Sequence, residues 1–250
     1  MVVRNLDTPR KLKHDAIVEA VLEVRFAQEG VPEIFFGRFV DHPHWKSYKP
    51  RKLPFPELPQ QLLLADPNLR LIPILEAVSD NGQSKLTVGR HAVALFRGRP
   101  YPGWEVFGSQ IDQFIDSLFE TTTNLTVQRI GLKYSNALNS AAHGVHSVSD
   151  LALKTTIAAD DALEEFNINF INVVSDKSSA LVRIATKGFL SGPVPPETTL
   201  FVEVDMHTPD GYAETDRGAV KAWVKAAHDD EKREFFHLFK QETIDSWRAA

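Results

Sequence analysis

The chain has 250 residues, 43% of them hydrophobic and 24% charged, the balance of an ordinary globular protein long enough for one large domain or two fused halves. Cysteine is absent, which excludes disulfides, thiolate-held zinc, iron–sulfur clusters and a thiol nucleophile. The formal charge of −5, from 33 acidic and 28 basic residues, weighs against nucleic acid as a partner, because nonspecific affinity for it comes from phosphate neutralisation.

Basic residues cluster at Arg4, Arg10, Lys11, Lys13 and His14, and again at Lys46, Lys49, Arg51 and Lys52. Both groups read as solvated: an N-terminal arm and a loop. The opening MVVRNLDTPRKLKHD lacks the roughly 7–15-residue apolar core of a secretory signal, and no later run reaches the roughly 18 apolar residues of a membrane span. The expectation is a cytoplasmic protein with no membrane partner.

Residues 16–26, AIVEAVLEVRF, alternate. Ala20, Leu22, Val24 and Phe26 share one face and Glu19, Glu23 and Arg25 the other, the period of a half-buried strand. Pro32 to Val40 predicts a short helix with Ile34, Phe35, Phe39 and Val40 as its apolar set. Proline suits the first turn, where its missing N–H had no helical partner. Between 41 and 69, Pro43, Pro50, Pro54, Pro56, Pro59 and Pro67 exclude regular helix and central strand. They predict a long surface connection with a helical turn at Gln60 to Leu64.

Leu69 to Ser79 predicts a strand, with Pro73 marking an edge or a bulge. Asp80-Asn81-Gly82 closes it as a hairpin turn, because Asn and Gly tolerate positive φ. Lys85 to Val88 and Ala92 to Arg97 read as two strands bent apart at Gly89, or as one kinked strand. Gly103 to Glu120 is an amphipathic helix whose stripe runs through Trp104, Phe107, Ile111, Phe114, Ile115 and Leu118. Leu125 to Leu138 alternates again, with Ile130, Leu132 and Tyr134 opposite Arg129, Lys133 and Ser135.

A connection over 139–164 leads to Phe166 to Val174, a strand with Phe166, Ile168 and Phe170 on one side and Asn167 and Asn169 on the other. Ser175 to Ser179 turns the chain, Ala180 to Thr186 is a strand, and Gly188 to Pro196 is a loop. Leu200 to His207 is a strand with Leu200, Val202, Val204 and Met206 inward. Thr208-Pro209-Asp210-Gly211 ends it. Thr215 or Asp216 caps a last helix with the stripe Val220, Trp223, Val224, Ala227, Phe235, Leu238 and Phe239.

Both halves therefore read strand, long connection, three strands, helix, which points to duplication of one unit. The predicted fold is α+β: a curved antiparallel sheet with two long helices on one face, analogous to a TATA-binding-protein-like or helix-grip arrangement. The boundaries are an N-terminal arm over 1–15, a first half over 16–124 and a second half over 125–250, within a single compact domain.

Three segments resemble a sporadically distributed, functionally uncharacterised bacterial family of about this length. They are HDAIVEAVLEVRF, the helix and strand YPGWEVFGSQIDQFIDSLF and IGLKYSNAL, and AWVKAAHDDEKREFFHLFKQETIDSW. The family pattern of Tyr-Pro before the helix, Tyr-x-Asn in the strand and His, Phe and Trp in the last segment falls on Tyr101, Pro102, Tyr134, Asn136, His228, Phe235 or Phe236, and Trp247. The resemblance implies no reaction. It implies an accessory role of the toxin–antitoxin, mobile-element or phage-defence kind.

No recognised catalytic motif occurs: GxSxG, GxGxxG, HExxH and the P-loop are all missing. His42 and His44, and His143 and His146, have spacings that suit a metal but lack a third ligand. His228 follows Val224 by one helical turn and reads as the flank of a core stripe. Glu203, Asp205 and His207 alternate along one strand and share a face, and Arg129 and Lys133 occupy the polar face of another. These five are the candidate ligand or partner face. No metal and no cofactor are indicated. The leading expectation is a non-enzymatic interaction protein that binds another protein or itself. The alternatives are a small-ligand or peptide-binding module, and an enzyme using Glu203, Asp205 and His207.

Overall fold

A computed structural model describes residues 7–9, 11–54, 66–152, 165–189 and 194–248. The chain is α+β, built on one open antiparallel sheet of nine strands. In chain order its elements begin with β1 (Ile17–Glu29), α1 (Pro32–Val40), β2 (Tyr48–Lys52), β3 (Pro73–Ser79), β4 (Ser84–Gly89) and β5 (Ala92–Gly98). Then come α2 (Trp104–Thr121), β6 (Thr123–Leu138), α3 (Ser140–His143), β7 (Asn167–Ser175), β8 (Ser178–Ala185), β9 (Leu200–His207), α4 (Arg217–His237) and α5 (Gln241–Ser246). The strand order is β2-β3-β4-β5-β1-β6-β9-β8-β7. Counted outward from its long first strand, the first half runs β1-β5-β4-β3-β2 and the second β6-β9-β8-β7, so the first half carries one strand more than the expected unit. The helical turn expected at Gln60 to Leu64 lies outside the described residues.

The chain packs as two compact units, and their boundaries differ from those of the sequence halves. One unit gathers Ala20–Leu132 with His207–Ala226. Its core is the alternating face of β1, where Leu22, Val24 and Phe26 are fully buried, with Leu86, Leu95, Ile130 and Leu132 from neighbouring strands. Phe107, Ile111, Phe114, Ile115 and Leu118 of α2 supply the helical side, at the three- and four-residue steps of an amphipathic helix. Each such side chain contributes roughly 1.5–3 kcal/mol when removed from water. The first turns of α4 lie beside α2, joined by Lys221 to Asp116 at 2.8 Å and Arg217 to Asp116 at 3.3 Å. Asp216 caps α4 by accepting from the Ala219 N–H at 2.6 Å.

α1 spans the predicted residues, with Pro32 in its first turn and no side-chain cap. It buries Phe35, Phe36 and Phe39, whereas Ile34 is 53% exposed. Phe35 and Phe39 are buried as expected, stacked edge-on against Phe26 and Phe114 at 5.3 and 5.6 Å, and Phe36 is buried where Ile34 was expected. The proline-rich connection hides a strand. Tyr48–Lys52 pairs with β3, Pro50 opposite Ala77, and it sits at the sheet edge, where a missing N–H costs no ladder bond. Pro73 begins β3, and the register shifts between it and Leu75, which is the bulge its ring requires. β4 and β5 are two separate strands. Gly89 ends the first, and a Cβ there would meet the Ile72 carbonyl oxygen at 2.8 Å.

The other unit gathers the described residues of Met1–Glu19, Lys133–Met206 and Ala227–Ala250. Tyr134, Ala180, Val182, Ile184, Leu200, Val202, Val204 and Met206 form its strand side, all at 2% exposure or less. Phe235, Leu238 and Phe239 cover them from the end of α4. Trp247 closes the aromatic group, 4.7 Å from Phe239, with its indole N–H donated to the His143 carbonyl at 2.6 Å. Lys13 donates its backbone N–H to the Trp247 carbonyl at 2.7 Å, which ties the N-terminal segment to the chain end.

Candidate functional site

The polar face of the sheet carries the five residues singled out by their alternation. In the unit with Lys133, Glu203 and Asp205, the Lys133 ammonium lies 3.2 Å from Glu203, and the Ser135 hydroxyl donates to the same carboxylate at 2.9 Å. Asp205 and His207 follow on β9 and are partly exposed. In the other unit Arg129 pairs with Glu23 at 3.1 Å, and Arg25 donates to the same carboxylate oxygen at 2.7 Å. Glu203 is therefore met by Lys133, and Arg129 by Glu23.

A hollow of about 220 Å³ opens beside the Glu23 group, walled by Arg25, Arg129, His91, Gln128, Asp210 and Leu71. Both of its arginines pair with Glu23, and Asp210 adds a second carboxylate to the wall. A second hollow of about 330 Å³ lies over β4 and β5, where the Lys85 ammonium sits 4.4 Å above the Phe96 ring and Glu76 is paired with Arg51. Opposite charges satisfied in place make a solvated sheet face.

The candidate histidines have packing roles. The His42 ring lies between Ser117 Oγ at 3.0 Å and Glu120 at 3.1 Å. His143 is buried, with Nδ1 accepting the Asn139 N–H at 3.1 Å and its ring edge-on to Trp247, whereas His146 is exposed. Among the described residues, no three His, Asp or Glu side chains group as metal ligands. No described helix is long and apolar enough to cross a membrane.

A buried polar group escaped the sequence reading. The stripe of α4 runs to Ala227 and resumes at Phe235, and the turns between them are filled by His228, Glu231 and Glu234. The Tyr134 hydroxyl lies 3.4 Å from His228 Nδ1, and Asn172 donates to Glu234 at 2.8 Å. Glu231 is 6% exposed, and burial pushes its carboxyl up to about 8. Burial also pushes the His228 imidazole down to about 4. Both shifts follow from loss of water around the charged form. The signal was available: position 231 falls four residues after Ala227, on the stripe.

The two edges of the sheet differ in kind. β2 reads Tyr-Lys-Pro-Arg-Lys, with Lys49 to Lys52 exposed. β7 reads Asn-Ile-Asn-Phe-Ile-Asn-Val-Val-Ser and contains no charge, no proline and no glycine. Its Ile168 and Phe170 face inward, while Ile171 and Val173 are 63% and 78% exposed. Leu181 of β8, opposite Ile171 in the register, is 36% exposed. Among the described residues β7 has β8 on one side and no strand on the other. Its charge-free composition was visible in the sequence, but its place at the edge was not.

No protein-family model matches the chain. No curated protein matches it either.

Proposed function

We propose that this is a non-enzymatic interaction protein that takes up a partner strand along the open edge of β7. The supporting observation is the contrast between the two edges of one sheet. Strand edges present rows of backbone donors and acceptors that template another strand, and proteins commonly block them with lysine and proline. Here β2 carries both devices and β7 carries neither. The exposed Ile171 and Val173 add apolar surface to that edge. Strand addition draws affinity from main-chain bonds and specificity from alternate side chains. An accessory role of the kind the family resemblance implies needs only such binding.

The backbone direction supplies a clean test. The Thr186 N–H donates to the Phe166 carbonyl, so by alternation the N–H and C=O groups of Asn167, Asn169, Ile171 and Val173 point away from β8. Asn169→Pro deletes an outward donor and leaves the ladder to β8 intact. The tagged wild-type protein should retain a partner from its own host cells, and residues 167–175 of that complex should exchange hydrogen more slowly than in the free protein. Asn169→Pro should lose the partner while melting near the wild-type temperature. Equal retention by a folded Asn169→Pro protein would defeat the proposal.

A further inference from the structure

We infer that the strand added to β7 is the β7 of a second copy of this chain, paired antiparallel about a twofold axis through Ile171. This rests on the strand-addition reading and names its occupant.

Three features of the strand fit its own copy. The first is charge. Two copies of β7 meet without a single like-charge pair, because the strand from Asn167 to Ser175 has no ionisable side chain. Like charges directly opposite one another destabilise a strand pair. Two copies of β2 would bring Lys49, Arg51 and Lys52 against one another.

The second is register. β7 has nine residues with its midpoint at Ile171, and its ladder to β8 is regular from Asn167 to Val173 before a bulge ahead of Ser175. Antiparallel overlap centred there sets Ile171 against Ile171 of the second copy and Asn169 against Val173, both within the regular part of the strand. The midpoint residue also belongs to the set whose N–H and C=O point away from β8. The axis thus falls on a pair that can exchange both hydrogen bonds. Had the midpoint been an inward-bonding residue, full overlap would have placed a non-bonded pair on the axis.

The third is the side-chain face. Successive residues alternate across a sheet, so a pairing with even register keeps outward residues beside outward residues. Ile171, 63% exposed, then lies against its own copy, and Val173, 78% exposed, lies next to that pair. The apolar row that each chain leaves in water is covered by the same row of the other. A twofold interface of this kind is isologous and closes at two chains, whereas the charged and proline-bearing β2 edge stops further growth.

The absence of native cysteine makes the geometry directly measurable. Opposed residues of a bonded antiparallel pair have Cα atoms about 5.5 Å apart, within the roughly 4.4–6.8 Å that a disulfide spans. Identical residues two positions off the axis are about 13 Å apart, four residues at about 3.3 Å each, and cannot be bridged. Under mild oxidation Ile171→Cys should give a covalent dimer. Asn169→Cys alone and Val173→Cys alone should not, yet a mixture of the two should cross-link. Light scattering should give the mass of two chains for the wild type and of one chain for Ile171→Lys, which sets like charges on the axis, and for Asn169→Pro.

A wild-type protein that stays at one chain's mass overturns the inference. So does equal cross-linking of all three single-cysteine variants, the signature of parallel in-register stacking. A monomer that still loses a host partner on Asn169→Pro sinks self-pairing alone and leaves strand addition standing. A monomer whose partner survives Asn169→Pro sinks both.

Discussion

The Tyr134 hydroxyl lies 3.4 Å from Nδ1 of His228, and the two rings are tilted together with centroids 5.9 Å apart. One stands on β6 and the other on α4, 94 residues later. The contact joins helix to strand through partly buried polar groups. One turn further along α4, Glu231 is buried as well.

These two groups give stability a defined pH dependence. Glu231 is raised from an ordinary 4.5 to about 8, so the folded state holds its proton longer than the unfolded chain does. Its contribution is fully present below pH 4.5 and is lost as pH rises through 8. His228 is lowered from 6.5 to about 4, so its contribution is present above pH 6.5 and is lost as pH falls through 4. The two slopes oppose each other between 4.5 and 6.5, and Glu231 acts alone between 6.5 and 8. Urea unfolding should show stability falling across that upper window, by up to ~1.4 kcal/mol per pH unit from this carboxyl. Glu231→Gln should flatten the curve there and be more stable than the wild type at pH 8. A slope unchanged by the substitution would show that Glu231 ionises normally.

Two glycines should respond in opposite directions. At Gly89 a methyl group meets backbone oxygens of Ile72 at 2.8 Å and Ala92 at 3.3 Å, neither of which can swing aside. Gly89→Ala should cost about 1–3 kcal/mol, the range for an overpacked site. Gly37 lies in α1 with open space around its missing Cβ. Gly37→Ala should stabilise by roughly 0.5–1 kcal/mol through helix propensity and chain entropy. Thermal melts of the two variants should shift to opposite sides of the wild type.

The tryptophans should separate by burial. Trp223 and Trp247 are 8% and 3% exposed, and replacing either with alanine should cost about 3–5 kcal/mol. Trp104, like Trp223, lies early on a long helix, yet it is only half-buried. Its indole lies along its own helix over Gly108, where a Cβ would come within 3.2 Å of the ring. Trp104→Ala should therefore lower the melting temperature less than either of the others. Three equal shifts would show that the indole of Trp104 carries core weight after all.

Glu23 holds Arg25 and Arg129 on the polar sheet face. All three side chains keep a quarter or more of their surface in water, so screening limits the cluster to less than about 1 kcal/mol. Glu23→Gln should destabilise slightly at low salt, and the loss should shrink as salt is added. A loss independent of salt would mean that packing, not charge, is what the carboxylate supplies.

Residue order alone was enough for the elements that read their own period. β9 occupies Leu200–His207 and α1 occupies Pro32–Val40, as the patterns predict, because alternation and a first-turn proline are local signals. The charged face of β6 and β9 was likewise legible, since side chains on a strand switch sides at every residue. β2 was not. A strand that holds Pro50 among lysines and an arginine needs β3 beside it and a place at the end of the sheet, and that place is a property of the assembled sheet.

Position in the sheet and burial were decided by tertiary packing. Glu231 stands in the charged run HDDEKRE although its position falls on the stripe of α4, and the packing of that helix is what buries it. β7 looks like any strand with one apolar face, and only the order β9-β8-β7 places it at the end of the sheet among the described residues. The reason is the range of the interactions. Periodicity, caps and turns act over a few residues and are written in neighbours. Desolvation of a carboxylate, or the exposure of a strand edge, depends on which distant segments arrive, and those contacts exist only once the helices have packed on the sheet.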